Sequence, residues 1–228
     1  MGIRDALLDA WALIMPVECA GCGAPDRALC AACARELEPL AAVRSTPGGL
    51  PVVTALRYEG PVRRVVLSLK EQHRTDAAAP LARALAVALH RAAEPIGAVE
   101  FVPVPTSRAA YRRRGYDPVV MLLRRAGHSP TRVLRVTRSP SMQKTLGVTE
   151  RANNLRGAFA ARADLAGRMF VIVDDILTTG ATIDEAARAL SEAGGKVLGA
   201  ATLAFTPRLF AFRDNVSNED YGGAKGAQ

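Results

Sequence analysis

The residues of this 228-residue chain best suited to chemistry stand together in "VIVDDILTTGAT", Val171 to Thr182. Asp174 and Asp175 close an apolar run, where two adjacent carboxylates are costly unless something uses their charge. Thr178, Thr179, Gly180, Ala181 and Thr182 follow. Such small residues let backbone N–H groups curl round a phosphate, and the threonines add hydroxyl donors. A helix starting near Thr182 adds the positive end of its dipole. The aspartates stay ionised if they accept from ribose hydroxyls or lie near a bound metal ion. Acids for hydroxyls beside a loop for phosphate make a sugar-phosphate site. Response-regulator-like acidic pockets also use adjacent aspartates, but they have no need of the T-T-G-A-T loop.

A second constellation is C-x2-C-x7-C-x2-C, formed by Cys19, Cys22, Cys30 and Cys33, the only cysteines in the chain. Four thiolates from two such hooks close a tetrahedral zinc site with no open position, so the expected zinc is structural. Gly21 and Gly23 suit the tight turn between ligands. Disulfides are the alternative, disfavoured in a reducing compartment, and a redox role needs only one C-x2-C pair. His73, His90 and His128 are scattered without ligand partners at useful spacing and read as structural or surface residues.

The net charge of +8 is concentrated: residues 101–156 hold twelve Arg or Lys against Asp117 and Glu150 alone. A single basic segment points to a local anionic ligand, a polyphosphate or a nucleic-acid backbone. Aromatic content is only 5%, and that segment offers just Phe101, Tyr111 and Tyr116 for base stacking. Single-strand binding relies on more such platforms, so phosphate chemistry is the favoured reading. No apolar run reaches the roughly 18 residues of a membrane helix. The N-terminal "IRDALLDAWALIM" carries Asp5 and Asp9 and lacks a signal-peptide pattern, which leaves a cytoplasmic protein with no membrane association as the expectation.

The elements that must position these groups alternate. A helix is expected over 3–15, with Trp11 as a packing residue, and "RSTPGGLP" at 44–51 reads as a linker. Strands are expected at 52–58, 98–105, 132–136, 168–176 and 196–206, with a short one in "AFAA". Helices are expected from Pro61 to about Leu69, over 76–93, in "DPVVMLLRRA" and over 182–194. "TSRAAYRRRG" reads as a loop, residues 137–156 as a long polar loop, and 213–228 as a disordered tail. Apolar strands alternating with helices predict an α/β parallel sheet flanked by helices, with ligands at the carboxyl ends of the strands. Asp174, Asp175 and Ser107 all stand at such ends.

Val171–Thr182 resembles the phosphoribosyl-pyrophosphate (PRPP) motif of type I phosphoribosyltransferases. The four-Cys module, "PVP" before "RRRGYD", a glutamine, "ERANNLRGAF" and then this motif extend the likeness to the ComF (GntX) family, from about Cys19 to Phe205. The family commonly has Arg-Gly-aromatic-Asn-Gln where Asp117 and Pro118 stand here. The resemblance implies a type I phosphoribosyltransferase-like domain over 46–212 behind a small zinc-binding module over 1–45, with the tail at 213–228. It implies PRPP, or a related sugar phosphate, bound with Mg²⁺. Ser107, Arg108 and Arg114 are then donors to pyrophosphate on the stretch after the first core strand. Gln143, Lys144 and Arg151 belong to a basic loop closing over the reacting centre, with Asp174 and Asp175 on the ribose. The reaction implied is displacement of pyrophosphate at the anomeric carbon, linked by family to DNA uptake and competence. The alternatives are a non-catalytic PRPP- or nucleotide-sensing regulator, and a DNA-uptake accessory factor that binds single-stranded DNA or a competence helicase partner. A homo-oligomer is compatible with each.

Overall fold

The computed structural model describes residues 17–94, 98–137 and 155–207. The helix expected at 3–15, most of the long loop at 137–156 and the tail from 208 onward lie outside these.

The described residues open with the cysteine knuckle and a short helix α1 (Ala31–Arg35), then enter a hairpin of β1 (Ala42–Ser45) and β2 (Pro51–Arg57). The segment read as a linker at 44–51 is the turn of this hairpin, with Ser45 paired to Pro51. Thr46 N–H donates to the Leu50 carbonyl at 3.0 Å, and Leu50 N–H donates back to Thr46 Oγ1 at 3.1 Å. Pro and Gly mark turns as readily as linkers; the flanking β-branched residues decide between them. β1 pairs within the main sheet, so that sheet starts at Ala42.

Helices α2 (Gly60–Glu71) and α3 (Ala78–Ala93) follow, then β3 (Glu100–Pro103), α4 (Arg108–Arg114) and α5 (Pro118–Arg125). The expected loop over "TSRAAYRRRG" is therefore a short helix. Ser107 Oγ caps it by accepting from Ala110 N–H at 3.2 Å, and Gly115 ends it in the left-handed conformation, φ 75°. β4 (Leu134–Val136) and β5 (Phe159–Ala161) form a separate antiparallel ribbon. β6 (Met169–Leu177), α6 (Ala181–Glu192) and β7 (Lys196–Phe205) complete the described chain.

The main sheet has the order β1-β2-β7-β6-β3, parallel except for the β1–β2 hairpin. β6 is apolar on both faces because both are covered: Phe170, Val171, Ile172 and Val173 are fully buried. Val171 and Val173 join the core made with α2, α3 and α5, including Leu69, Leu85 and Leu122. Phe170 and Ile172 face the opposite core, with Ile183 and Leu190 of α6 and with Leu134 and Phe159 of the ribbon. A buried Glu185 on α6 fixes the ribbon, accepting from Phe159 N–H at 3.2 Å and pairing with Arg188 at 2.7 Å. No helix among the described residues is long and apolar enough to cross a membrane.

Candidate functional site

Strand β6 carries Asp174 and Asp175 at the carboxyl end of the sheet, where the apolar run gives out. Both are half-buried. Asp175 N–H donates to Asp174 Oδ1 at 2.8 Å, which turns the first carboxylate back over the chain. Loss of water and the neighbouring Asp175 charge push the Asp174 carboxyl up to about 7, against the opposing Asp175 N–H and Lys70. Asp175 has its own counter-ion, with Lys70 Nζ at 2.8 Å from its Oδ2. Lys70 comes from the last turn of α2, 105 positions upstream; nothing in its local sequence marks it.

Thr178, Thr179 and Gly180 form the turn between β6 and α6. Gly180 is the helix N-cap with φ 83°, a conformation that suits glycine. A Cβ there would lie 3.0 Å from Pro47 Cδ and 3.1 Å from Thr46 Cβ, so the tip of the β1–β2 hairpin backs the turn. Gly48 N–H donates to Asp184 Oδ2 at 3.0 Å and holds the hairpin against the first turn of α6. Thr182 and Ala181 open that helix. Ala181 N–H donates to Thr179 Oγ1 at 3.4 Å, and two residues, Ile176 and Leu177, separate the turn from the acidic pair.

The stretch after β3 arrives beside this centre, because Val104 N–H donates to the Val173 carbonyl at 2.9 Å. Thr106, Ser107 and Arg108 therefore leave the sheet next to Asp174. Asp117 accepts from Thr106 Oγ1 at 2.8 Å through one oxygen and from Val120 N–H at 3.1 Å through the other. The Asp117-Pro118 departure from the family pattern thus has a structural role: an N-cap followed by proline in the first turn of α5. Arg114 faces α2 instead, 3.2 Å from Glu71, which also pairs with Arg113 at 3.1 Å. The end of α2 thus holds one acid for these arginines and one lysine for Asp175. Gln143, Lys144 and Arg151 lie outside the described residues; Thr137 and Leu155, on either side of that segment, sit at the ribbon.

The four cysteine sulfurs lie within 4.8 Å of one another, and Cys22 Sγ is 3.7 Å from Cys30 Sγ. A tetrahedral ion with sulfur ligands at about 2.3 Å requires separations of about 3.8 Å, so the cluster has the dimensions of a zinc site. Gly21 N–H and Cys30 N–H approach Cys19 Sγ at 3.4 and 3.3 Å. Burial raises the Cys19 thiol, but backbone N–H groups of Cys30, Cys22 and Gly21 outweigh it and lower the thiol to about 6. Burial and the neighbouring sulfurs push Cys33 up, as expected where four thiols share one space; a metal ion bound there would hold them as thiolates, with their protons released to solvent. A Cβ on Gly21 would stand 2.6 Å from Cys33 Sγ, so glycine is required. Arg64 donates to the Gly21 carbonyl, and Arg74 to the Glu18 and Ala28 carbonyls, tying the knuckle to α2 and the segment after it.

A family model described as the phosphoribosyl transferase domain matches residues 110–217. DNA utilization protein YhgH of Escherichia coli (strain K12) is 30% identical over 184 residues, 77% of this chain and 78% of that protein. Its namesake in Salmonella typhimurium is 29% identical over the same shares. An orotate phosphoribosyltransferase of Pyrobaculum calidifontis is 47% identical over 57 residues, 25% of this chain and 29% of that protein. A crystal structure of adenine phosphoribosyltransferase overlaps with a TM-score of 0.43 at 17% identity, over 78% of this chain and 91% of that one. With its acidic pair, threonine-rich turn and four-cysteine knuckle on a parallel sheet, the chain belongs to the ComF family of phosphoribosyltransferase-domain proteins.

Proposed function

We propose that the protein binds PRPP with Mg²⁺ and transfers or releases the phosphoribosyl group. The observation that carries this reading is the placement of Asp174 and Asp175 directly before a turn that opens the twelve-residue helix α6. Thr178, Thr179, Gly180, Ala181 and Thr182 hold the 5′-phosphate; Asp174 and Asp175 accept from the ribose hydroxyls. Ser107 and Arg108 offer donors to pyrophosphate. Arg114 does so only by leaving Glu71. On sequence grounds Gln143, Lys144 and Arg151 belong to the same end of the site. When bound, Mg²⁺ neutralises pyrophosphate as it departs. The arginines supply the remaining positive charge, each worth about 2–4 kcal/mol of transition-state stabilisation.

The knuckle holds a structural zinc in this reading, and the protein works in the cytoplasm, alone or as a homo-oligomer. The relatives named as DNA utilization proteins support a task in DNA use, where single-stranded DNA or a helicase is the partner to test. Calorimetric titration of PRPP and Mg²⁺ tests the central claim. Wild-type protein should bind, and a folded Asp174→Asn/Asp175→Asn variant should not. Retained affinity in that variant refutes the assignment.

A further inference from the structure

Beyond the edge strand β3 lies a cavity of about 400 Å³, bounded by α4, the start of α5 and the β4–β5 ribbon. Arg108, Arg112, Arg132 and Arg162 line it together with Tyr111 and Asp117. Asp174, Asp175 and the phosphate turn do not. Its floor is apolar, with Val104, Val120 and Leu134 all buried.

Among the described residues, no carboxylate forms an ion pair with the arginines of this cavity, which separates them from the arginines that the fold holds in salt bridges. Arg57, Arg74, Arg113, Arg114, Arg168 and Arg188 each have a carboxylate partner within 3.2 Å. Among the described residues, Arg108, Arg112 and Arg132 have no ion pair, and the Arg162 side chain donates only to the Leu134 carbonyl, from Nε at 3.3 Å. The one lining carboxylate, Asp117, is used by Thr106 and Val120. Arg108 and Arg112 stand one turn apart on α4, where like charges repel. Arg132 and Arg162 approach from the ribbon, where Arg162 N–H is anchored to the Val133 carbonyl at 2.8 Å. Four arginines, two on α4 and two flanking the ribbon, thus line a space whose one carboxylate is already engaged.

Guanidinium forks match phosphate bidentately and also stack on planar rings. Tyr111, 51% exposed on the rim, and the apolar floor suit a flat ring rather than a bare ion. The volume lies within the range of small-molecule sites. We propose that this cavity is a second ligand site, taking a nucleoside 5′-phosphate with its phosphate among the four arginines and its base against Tyr111 and the floor. The nucleotide can be free or the 5′ end of a DNA strand, since both present the same phosphorylated ring. The site shares Arg108 with the proposed PRPP site but does not depend on PRPP binding.

The test is calorimetric titration of 5′-dAMP into the full-length zinc-loaded protein. Deoxyadenosine and inorganic phosphate serve as controls. Wild type should bind 5′-dAMP at least tenfold more tightly than either control. Arg132→Ala/Arg162→Ala should weaken 5′-dAMP at least tenfold with zinc content and circular dichroism unchanged, and Arg132→Lys/Arg162→Lys should recover part of the loss. Asp174→Asn/Asp175→Asn should leave it intact, which keeps this site distinguishable from the PRPP site. Equal binding by the Arg→Ala variant, or loss only in the Asp→Asn variant, overturns the proposal. A short oligodeoxynucleotide with and without a 5′-phosphate identifies the source. Competition by the phosphorylated strand places a DNA end in the cavity, and competition by 5′-dAMP alone places a free nucleotide there. Competition that ignores the 5′-phosphate contradicts the site.

Discussion

Lys70 Nζ lies 2.8 Å from Asp175 Oδ2, joining the last turn of α2 to the acidic pair at the end of β6. Both side chains are about one-fifth exposed, so the pair is screened less than a surface ion pair. α2 also carries Glu71, which holds Arg113 and Arg114, and Arg64, which reaches the cysteine knuckle. One helix therefore connects three charged features that lie far apart in the chain.

Lys70→Met should cost about 1–2 kcal/mol of stability, between the values for exposed and buried pairs. It should also raise affinity for divalent cations, because a competing positive charge is gone from Asp175. Chemical denaturation and Mg²⁺ titration read the two effects, and lowered cation affinity contradicts the counter-ion role.

The acidic pair sets a pH dependence of defined sign. Folded Asp174 holds its proton up to about 7, whereas an ordinary aspartate releases it near 3.8. Between these values the folded state binds more protons than the unfolded one, so stability from this group is present at low pH and is lost as pH rises toward 7. Thermal unfolding across that window should show the decline, and Asp174→Asn should flatten it. PRPP affinity should run the other way, strengthening as pH passes about 7, because only the ionised carboxylate is a full acceptor.

Metal analysis of freshly reduced protein should give near one zinc per chain. Cys33→Ser, at the buried corner of the cluster, should abolish it. Chelation should lower the unfolding temperature, since ion binding and folding of the knuckle are one equilibrium. Unchanged melting after complete zinc removal contradicts a structural role.

Gly180→Ala should cost about 1–3 kcal/mol, because the left-handed conformation disfavours a Cβ and Pro47 and Thr46 leave it no room. PRPP affinity should fall with it, as the phosphate turn moves off the hairpin. Gly115→Ala, equally left-handed at φ 75° but open to solvent, should cost only about 1 kcal/mol and is the control for strain alone. Equal losses at both positions remove the hairpin from the argument.

What the sequence determined by itself is what lies contiguous in it. The acidic pair, threonine turn and following helix occupy consecutive positions, and backbone geometry alone carries them from a strand end to a helix start. The cysteines sit close enough in the chain that spacing defines one cluster. The buried strand β6 was legible because burial on both faces demands an unbroken apolar run. Where local signals are ambiguous, contacts distant in sequence decide the conformation. "STPGG" suits a linker or a hairpin turn, and "TSRAAYRRRG" hides a seven-residue helix whose only marks are a serine cap and a terminal glycine.

Tertiary structure alone decided the rest. It brought Lys70 to Asp175, placed the hairpin tip behind Gly180, occupied both oxygens of Asp117 and gathered four arginines around one cavity. These relationships depend on which helix covers which face of the sheet and on where separate loops meet. Ion pairs and steric contacts act over a few ångströms in space, with no regard for separation along the chain.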